Sequence, residues 1–425
     1  MKNELYMPRI IDKQIKTYLS AFGGVCVEGP KWCGKTWTSE YHCNSKIDIG
    51  DSAGNFQNRR LAEMSPDIVL EGEAPRMVDE WQECPALWDA TRRQIDKRGK
   101  KGQFILTGSS TPKRKGIMHS GAGRIARLRM RPMTLFESGD SSGDISLENL
   151  CNDNLKPTMT GEVELKKLAE LIVRGGWPGN IDAPIEQAML LPVEYLNAVI
   201  EDDAFRVDEI KRDKDKMMLL LRSLARNEST TVTNKTLKND IKDKDDSDID
   251  VDTVASYLEL FGRLFLLDNQ KPFSTRVRSS VRVKQAEKRH FSDPSLTCAL
   301  LKLTPMHLIN DLNTFGFLFE ALVERDLKVY AESFGANLYH YQDYSGKEID
   351  AVIELSDGRW AAFEIKLGAN QIDKAAEELT ALKKAIVREE GSNPPDVLCV
   401  ICGMSNAAYR RDDGVYVVPI TALKP

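Results

Sequence analysis

The chain has 425 residues, more than one hydrophobic core sustains, so two or three domains are expected. Its 59 Lys and Arg against 64 Asp and Glu give a net charge of −5 and a pI of about 5.8, which excludes a general basic field for nucleic acid and leaves any such contact to local patches. The opening MKNELYMPRI lacks the apolar stretch of a secretion signal and no run approaches membrane-spanning length. The eight cysteines show no framework spacing, so a cytoplasmic protein with reduced thiols and no membrane contact is expected.

From Phe22 to about Glu137 apolar strand-like runs alternate with amphipathic segments, the βαβ signature of a parallel sheet covered by helices. The runs are VCVEG (25–29), KIDIGD (46–51), RMVDE (76–80), QFILTGSS (103–110) and ARLRMRPM (126–133); five strands suit an AAA-type core. Residues 138–161, polar and rich in Gly and Ser, read as a loop or linker, and 162–230 read as helices broken at Gly175-Gly176-Trp177-Pro178-Gly179, a small helical lid. Between Lys214 and Leu301 the order of helix, turn, short helix, longer helix and two basic extended runs resembles a winged helix-turn-helix. From Lys271 to His290 seven Lys or Arg face the single acid Glu287, a possible rest for phosphate. Asp240, Asp243, Asp245, Asp246, Asp248, Asp250 and Asp252 precede the helix that would read DNA and would repel it, so packing or protein contact is expected of that helix. From Thr314 the order is helix, three strands, helix, strand, strand, an αβββαβ pattern followed by one further strand. Cys399 and Cys402 form a CxxC on a buried-strand pattern that sends them to opposite faces, which favours two core thiols over a metal pair.

The most specific motif is Gly29-Pro30-Lys31-Trp32-Cys33-Gly34-Lys35-Thr36, GxxxxGKT, directly after the first strand. Backbone N–H groups that curl round a phosphate need glycine where a Cβ would obstruct them; Lys35 supplies positive charge and Thr36 a hydroxyl for magnesium. The loop with Trp37 is the expected nucleotide-contacting set. Hydrolysis needs acids as well. Met77-Val78-Asp79-Glu80 ends an apolar strand, with Asp79 expected to hold the metal through water and Glu80 to act as general base on the attacking water. Thr107, ahead of Ser109 and Ser110 at another strand end, is the first candidate to sense the γ-phosphate. Between Lys113 and Arg131 seven Lys or Arg occur without an acid. Arg124, flanked by glycines on a turn, is the first choice for an arginine finger toward this or a neighbouring subunit, and Arg127 the second; a finger acting in trans would demand a homo-oligomer.

GPKWCGKT, MVDEWQ, ILTGSS and GRIARLRMRPMTLFE, with GGWP and KRHFSDP further on, resemble a large prokaryotic family of AAA-superfamily ATPases. Its members join an N-terminal P-loop domain to a C-terminal domain of unknown function that resembles restriction endonucleases. The likeness covers nearly the whole chain, with Trp32-Cys33 departing from the usual loop interior. It implies ATP and Mg2+, with Lys35, Thr36, Asp79 and Glu80 at the ATP site. A PD-(D/E)XK-type nuclease needs an acid on one strand, then an acid and a lysine two apart on the next. Asp350 would end the second C-terminal strand, Glu364 and Lys366 share a face of the third, and Glu320 matches an acid on the preceding helix. Two other ExK pairs, Glu164/Lys166 and Glu209/Lys211, lie in helical segments. The five histidines show no ligand spacing.

The expected fold is α/β: an N-terminal P-loop AAA-type parallel sheet (1–140), a linker and helical lid (141–213), a winged-helix-like domain (214–305) and a PD-(D/E)XK-like αβββαβ domain (306–425). The expected function is Mg-dependent ATP hydrolysis controlling a C-terminal endonuclease-like domain, with DNA as partner. The alternative is a nucleotide-switched module with an inactive endonuclease-like domain that binds a protein partner.

Overall fold

A computed structural model of the chain describes residues 6–111, 118–242, 249–276, 285–342, 346–388 and 391–425. Lys113, Asp243, Asp245, Asp246 and Asp248, with the middle of the basic run from Lys271 to His290, lie outside the described residues. The chain divides into two compact units. The first comprises 1–132, 197–212 and 258–266, and the second 133–196, 213–257 and 267–425.

The first unit is built on five parallel strands, β1 (Gly24–Glu28), β2 (Ser45–Asp48), β3 (Arg76–Asp79), β4 (Phe104–Gly108) and β5 (Ile125–Arg129), in the order β2-β3-β4-β1-β5. Strict alternation sends Val25, Val27, Met77, Ile105 and Leu128 into one core with Ile11 and Ile15, and Cys26, Val78, Phe104 and Leu106 into the other with Trp81, Leu87 and Trp88. Both faces are therefore covered over the inner strands β1, β3 and β4, which is why these are mostly apolar runs, whereas the edge strands β2 and β5 keep exposed polar residues. Each such side chain contributes about 1.5–3 kcal/mol by leaving water. All five strands end on one side, where β1 runs into the loop 29–34 and the helix Lys35–His42. Since β4 lies between β1 and β3, the end of the Thr107 strand separates the phosphate loop from Asp79.

The second unit holds β6 (Ile145–Ser146), β7 (Thr158–Met159), β8 (Asn337–Gln342), β9 (Glu348–Glu354), β10 (Trp360–Lys366), β11 (Val397–Cys402), β12 (Ala407–Arg410), β13 (Tyr416–Pro419) and β14 (Leu423–Lys424). Seven form one mixed sheet, β7-β12-β13-β11-β10-β9-β8, and β14 pairs with β6. β8, β9 and β10 form an antiparallel meander, whereas β10, β11 and β13 run parallel. The helix Ile372–Arg388 crosses from β10 to β11 and buries Ile372, Ala375, Ala376, Leu379, Leu382 and Ile386 against Val352, Trp360, Ala362, Val400 and Cys402. Its apolar positions recur at helical spacing, the pattern of a helix laid on a sheet.

Two expectations change here. The stretch 138–161 is not a plain linker: it contains β6, the helix Leu147–Cys151 and β7, and both strands pair with strands from beyond residue 400. Two-residue strands are too short to show an alternating pattern. The basic run turns partly inward as well. Lys288 and His290 are buried where Gln270 bridges Lys288 and Leu267 bridges Phe291, so these cations meet protein carboxylates rather than phosphate. Cys399 and Cys402 lie buried and unbridged on β11.

Candidate functional site

The loop after β1 has two kinds of glycine. Gly34 takes a left-handed φ of 100° as it caps the helix Lys35–His42, a conformation that penalises a Cβ. Gly29 is crowded instead: a Cβ there would sit 2.0 Å from the Met130 carbonyl oxygen. Lys35 is buried and its Nζ donates to the Pro30 carbonyl at 2.7 Å, closing the loop on itself. Cys33 is buried beside Met130, Trp32 and Trp37 are exposed, and Lys31 Nζ reaches Asp203 Oδ1 at 2.6 Å. Thr36 Oγ1 donates to Asp79 Oδ1 at 3.2 Å. The Thr107 hydroxyl also donates to Asp79 Oδ1, while it accepts the Glu80 amide at 3.3 Å. Glu80 has a left-handed backbone (φ 53°), which turns its carboxylate away from that of Asp79 and onto Ser109 Oγ at 3.0 Å and the Gln82 amide. Burial, with the Glu80 charge adding to it, pushes the Asp79 carboxyl above its ordinary range against the pull of its two threonine donors. A buried carboxylate beside a hydroxyl, at the mouth of a loop of amides closed by a lysine, fits a magnesium-bound triphosphate: Thr36 and Asp79 would hold the ion, directly or through water, and Lys35 with the loop amides the phosphates.

The second cluster lies where β9 and β10 meet. These strands are antiparallel, with Ala351 opposite Phe363 and Val352 opposite Ala362, so the next step of the ladder sets Asp350 beside Glu364. Asp350 therefore stands near the start of its strand, not at its end as expected. The reversal of direction is what brings it to the end of β10. Asp350 Oδ2 accepts the Ile365 amide at 2.7 Å and Lys366 Nζ at 3.1 Å, and Lys366 Nζ also reaches Glu364 Oε2 at 2.6 Å. Burial, reinforced by the Asp350 charge, pushes Glu364 up to about 8. Burial works against the Lys366 ammonium, but Asp350 and Glu364 outweigh it and hold the group above its ordinary range. Glu320, on the helix Leu312–Ser333, meets Lys288 rather than the other acids. Among the described residues no three His, Cys, Asp or Glu side chains are grouped so as to hold a metal ion. Asp350 and Glu364 alone can offer oxygens to one divalent cation, which commonly uses one or two carboxylates with substrate phosphates and water.

Comparison with known proteins bears on the first cluster directly. Residues 22–138 match a family described as "AAA domain". They form an AAA-type P-loop ATPase domain. Residues 165–307 and 315–423 match two families described as domains of unknown function, DUF8612 and DUF4143. Among solved structures, the chain is similar to the Walker-type ATPase paby2304 of Pyrococcus abyssi, at 14% identity over 70% of this chain and 97% of that one, with a TM-score of 0.44. No curated protein matches the chain. No helix among the described residues is long and apolar enough to cross a membrane.

Within the ATPase domain Lys35, Thr36, Asp79, Glu80 and Thr107 are brought together, but Thr107 differs from expectation. Its hydroxyl is fully buried and committed to Asp79 and the Glu80 amide, so it orients acids rather than facing a phosphate; Ser109 and Gln82 hold Glu80. For Arg124 the structure bears on one half of the expectation, a finger toward its own subunit's nucleotide. This residue precedes β5 and its carbonyl accepts the Gly24 amide, at the opposite end of the sheet from the loop, and its guanidinium pairs with Asp96 at 2.9 Å. A five-residue strand separates it from its own loop by roughly 16 Å, so it cannot serve its own nucleotide. Arg127 pairs with Glu28 and lies over the Trp88 ring at 4.4 Å. Sequence reasoning missed Gln82, Asp203, Glu324 and the inward turn of Lys288 and His290. The spacing of Glu320 and Glu324, one helical turn apart, was the available signal for a shared partner.

Proposed function

We propose that the chain is a magnesium-dependent ATP hydrolase whose ATPase domain controls a C-terminal endonuclease-like region acting on DNA. In the ATPase domain, Glu80 takes a proton from the attacking water while Lys35 and the loop amides offset charge building on the phosphates. Asp79 and Thr36 would hold a magnesium ion, whose chemistry there would be to polarise the phosphates. The observation that carries the second half is the convergence of Asp350, Glu364 and Lys366 at the junction of β9 and β10, within a helix, three strands, helix, strand order. There Lys366 would stabilise charge on a phosphate or on the water attacking it, and Asp350 and Glu364 would hold one magnesium ion.

A second reading keeps the nucleotide switch and gives the C-terminal region to a protein partner, with its cutting chemistry lapsed. It is favoured by the lysine contacts, since Glu320, Asp350 and Glu364 each already have a lysine at hand. Plasmid nicking separates the two. Cutting that requires magnesium and disappears in Asp350→Asn supports the first reading; purified parent that leaves the plasmid supercoiled, while turning over ATP, supports the second.

A further inference from the structure

Lys288 is a buried cation that the proposed chemistry does not use. It is held by a two-way bridge to Gln270, whose amide and carbonyl exchange hydrogen bonds with its own at 2.9 and 3.0 Å. Its Nζ contacts Glu320 Oε1, Glu324 Oε1 at 2.9 Å and the main-chain oxygen of Asp350 at 3.3 Å. The ammonium therefore touches the helical acid and the backbone of the strand acid at once. Its position is fixed from behind: Glu324 Oε2 lies 2.9 Å from His290 Nε2, and His290 Nδ1 lies 3.1 Å from Glu228 Oε1. Glu228 in turn accepts the Phe291 amide at 3.2 Å and the Thr297 hydroxyl at 2.7 Å.

A row of carboxylates from Glu324 through Glu320 and Asp350 to Glu364 needs positive charge along its length, because isolated buried charges are costly. Lys288 supplies it at one end. At the other, Asp350 and Glu364 share Lys366, which is more exposed than Lys288. We propose that Lys288 is the resident cation of the carboxylate site, holding Glu320 and the Asp350 main chain, so that a single divalent ion binds at Asp350 and Glu364 and none at Glu320. The inference rests on the endonuclease-like reading of that site and makes Lys288 a positioning residue. It also removes Glu320 from the metal ligands expected of the sequence.

The test is equilibrium binding of Mn2+ to the nucleotide-free full chain, with Asp350→Asn as reference. The parent is expected to bind one equivalent that Asp350→Asn loses, and Glu320→Gln is expected to weaken that ion by less than about tenfold, since ligand and supporting residues ordinarily cost ten- to a hundredfold. Lys288→Met, which frees Glu320 and Glu324, is expected to bind a second equivalent. Two Asp350-dependent equivalents in the parent, a loss of about tenfold or more in Glu320→Gln, or one equivalent in a cooperatively melting Lys288→Met would overturn the inference and leave the carboxylate site standing. No Asp350-dependent ion at all would remove both. If Lys288→Met does not melt cooperatively, the parent count and Glu320→Gln decide.

Discussion

Lys366 reaches across from β10 to Asp350 at 3.1 Å, and through that one contact the ends of two antiparallel strands become a charged site. The same ammonium lies 2.6 Å from Glu364, so its loss leaves two neighbouring carboxyls without their shared cation. Lys366→Ala is predicted to lower magnesium-dependent plasmid nicking at least about a hundredfold. The fold should survive at pH 7, because burial and the Asp350 charge hold Glu364 at about 8, so its carboxyl already carries a proton there and stays neutral when the lysine is lost. Nicking assays and melting curves run on one preparation check both halves.

Thr107→Val keeps the shape of the side chain and deletes the hydroxyl that Asp79 and the Glu80 amide share. The account predicts a stability loss of about 1–3 kcal/mol, the cost of an unmade buried hydrogen bond. ATP turnover should fall while affinity for a non-hydrolysable analogue changes little, because the loop amides and Lys35 are untouched. An equal loss in binding would place the hydroxyl on the phosphate after all.

His290 carries a pH signature. Burial alone would lower it, yet Glu324 and Glu228, one at each ring nitrogen, raise it from 6.5 to about 9. The folded chain therefore keeps a proton that the unfolded chain releases above about 6.5. This stabilisation, on the order of 3 kcal/mol, is complete below that pH and lost as pH rises through about 9. Melting temperature should fall from pH 7 to pH 9 in the parent, and His290→Gln should flatten that slope. Parallel slopes in the two proteins would contradict the assignment.

Arg124→Ala is predicted to leave ATP turnover of dilute protein unchanged, since the residue stands at the far end of the sheet from its own phosphate loop and its contact with Asp96 is a half-exposed pair worth at most about 1 kcal/mol. A steep loss at nanomolar protein, where subunits stay apart, would mean the arginine acts on its own nucleotide.

Much of this arrangement was legible in the residues because local pattern and local chemistry coincide. The inner strands β1, β3 and β4 of the first sheet are buried on both faces and so appear as apolar runs, and the GxxxxGKT loop announces its own curl. Glu364 and Lys366 could be paired from strand alternation and Asp350 added from the PD-(D/E)XK pattern, although the antiparallel direction that places Asp350 at a strand start could not be read. What stayed hidden depends on contacts between segments distant in sequence. Lys288 and His290 look like a solvent-facing basic run until the helix carrying Glu320 and Glu324 is laid against them. Arg124 looks like a finger for its own nucleotide until the parallel register of β1 and β5 shows which end of the sheet it occupies. The strands β6 and β7 are too short for any period and exist only because their partners lie more than 240 residues away.

The most direct test of the central claim is steady-state Mg-ATP hydrolysis by the parent and Glu80→Gln, with binding of a non-hydrolysable ATP analogue measured calorimetrically on both. The account predicts that both proteins bind the analogue with similar heat and that turnover in Glu80→Gln falls by about a hundredfold or more, the usual worth of a positioned general base. Hydrolysis by Glu80→Gln at the parent rate, or no analogue binding by the parent, would contradict it.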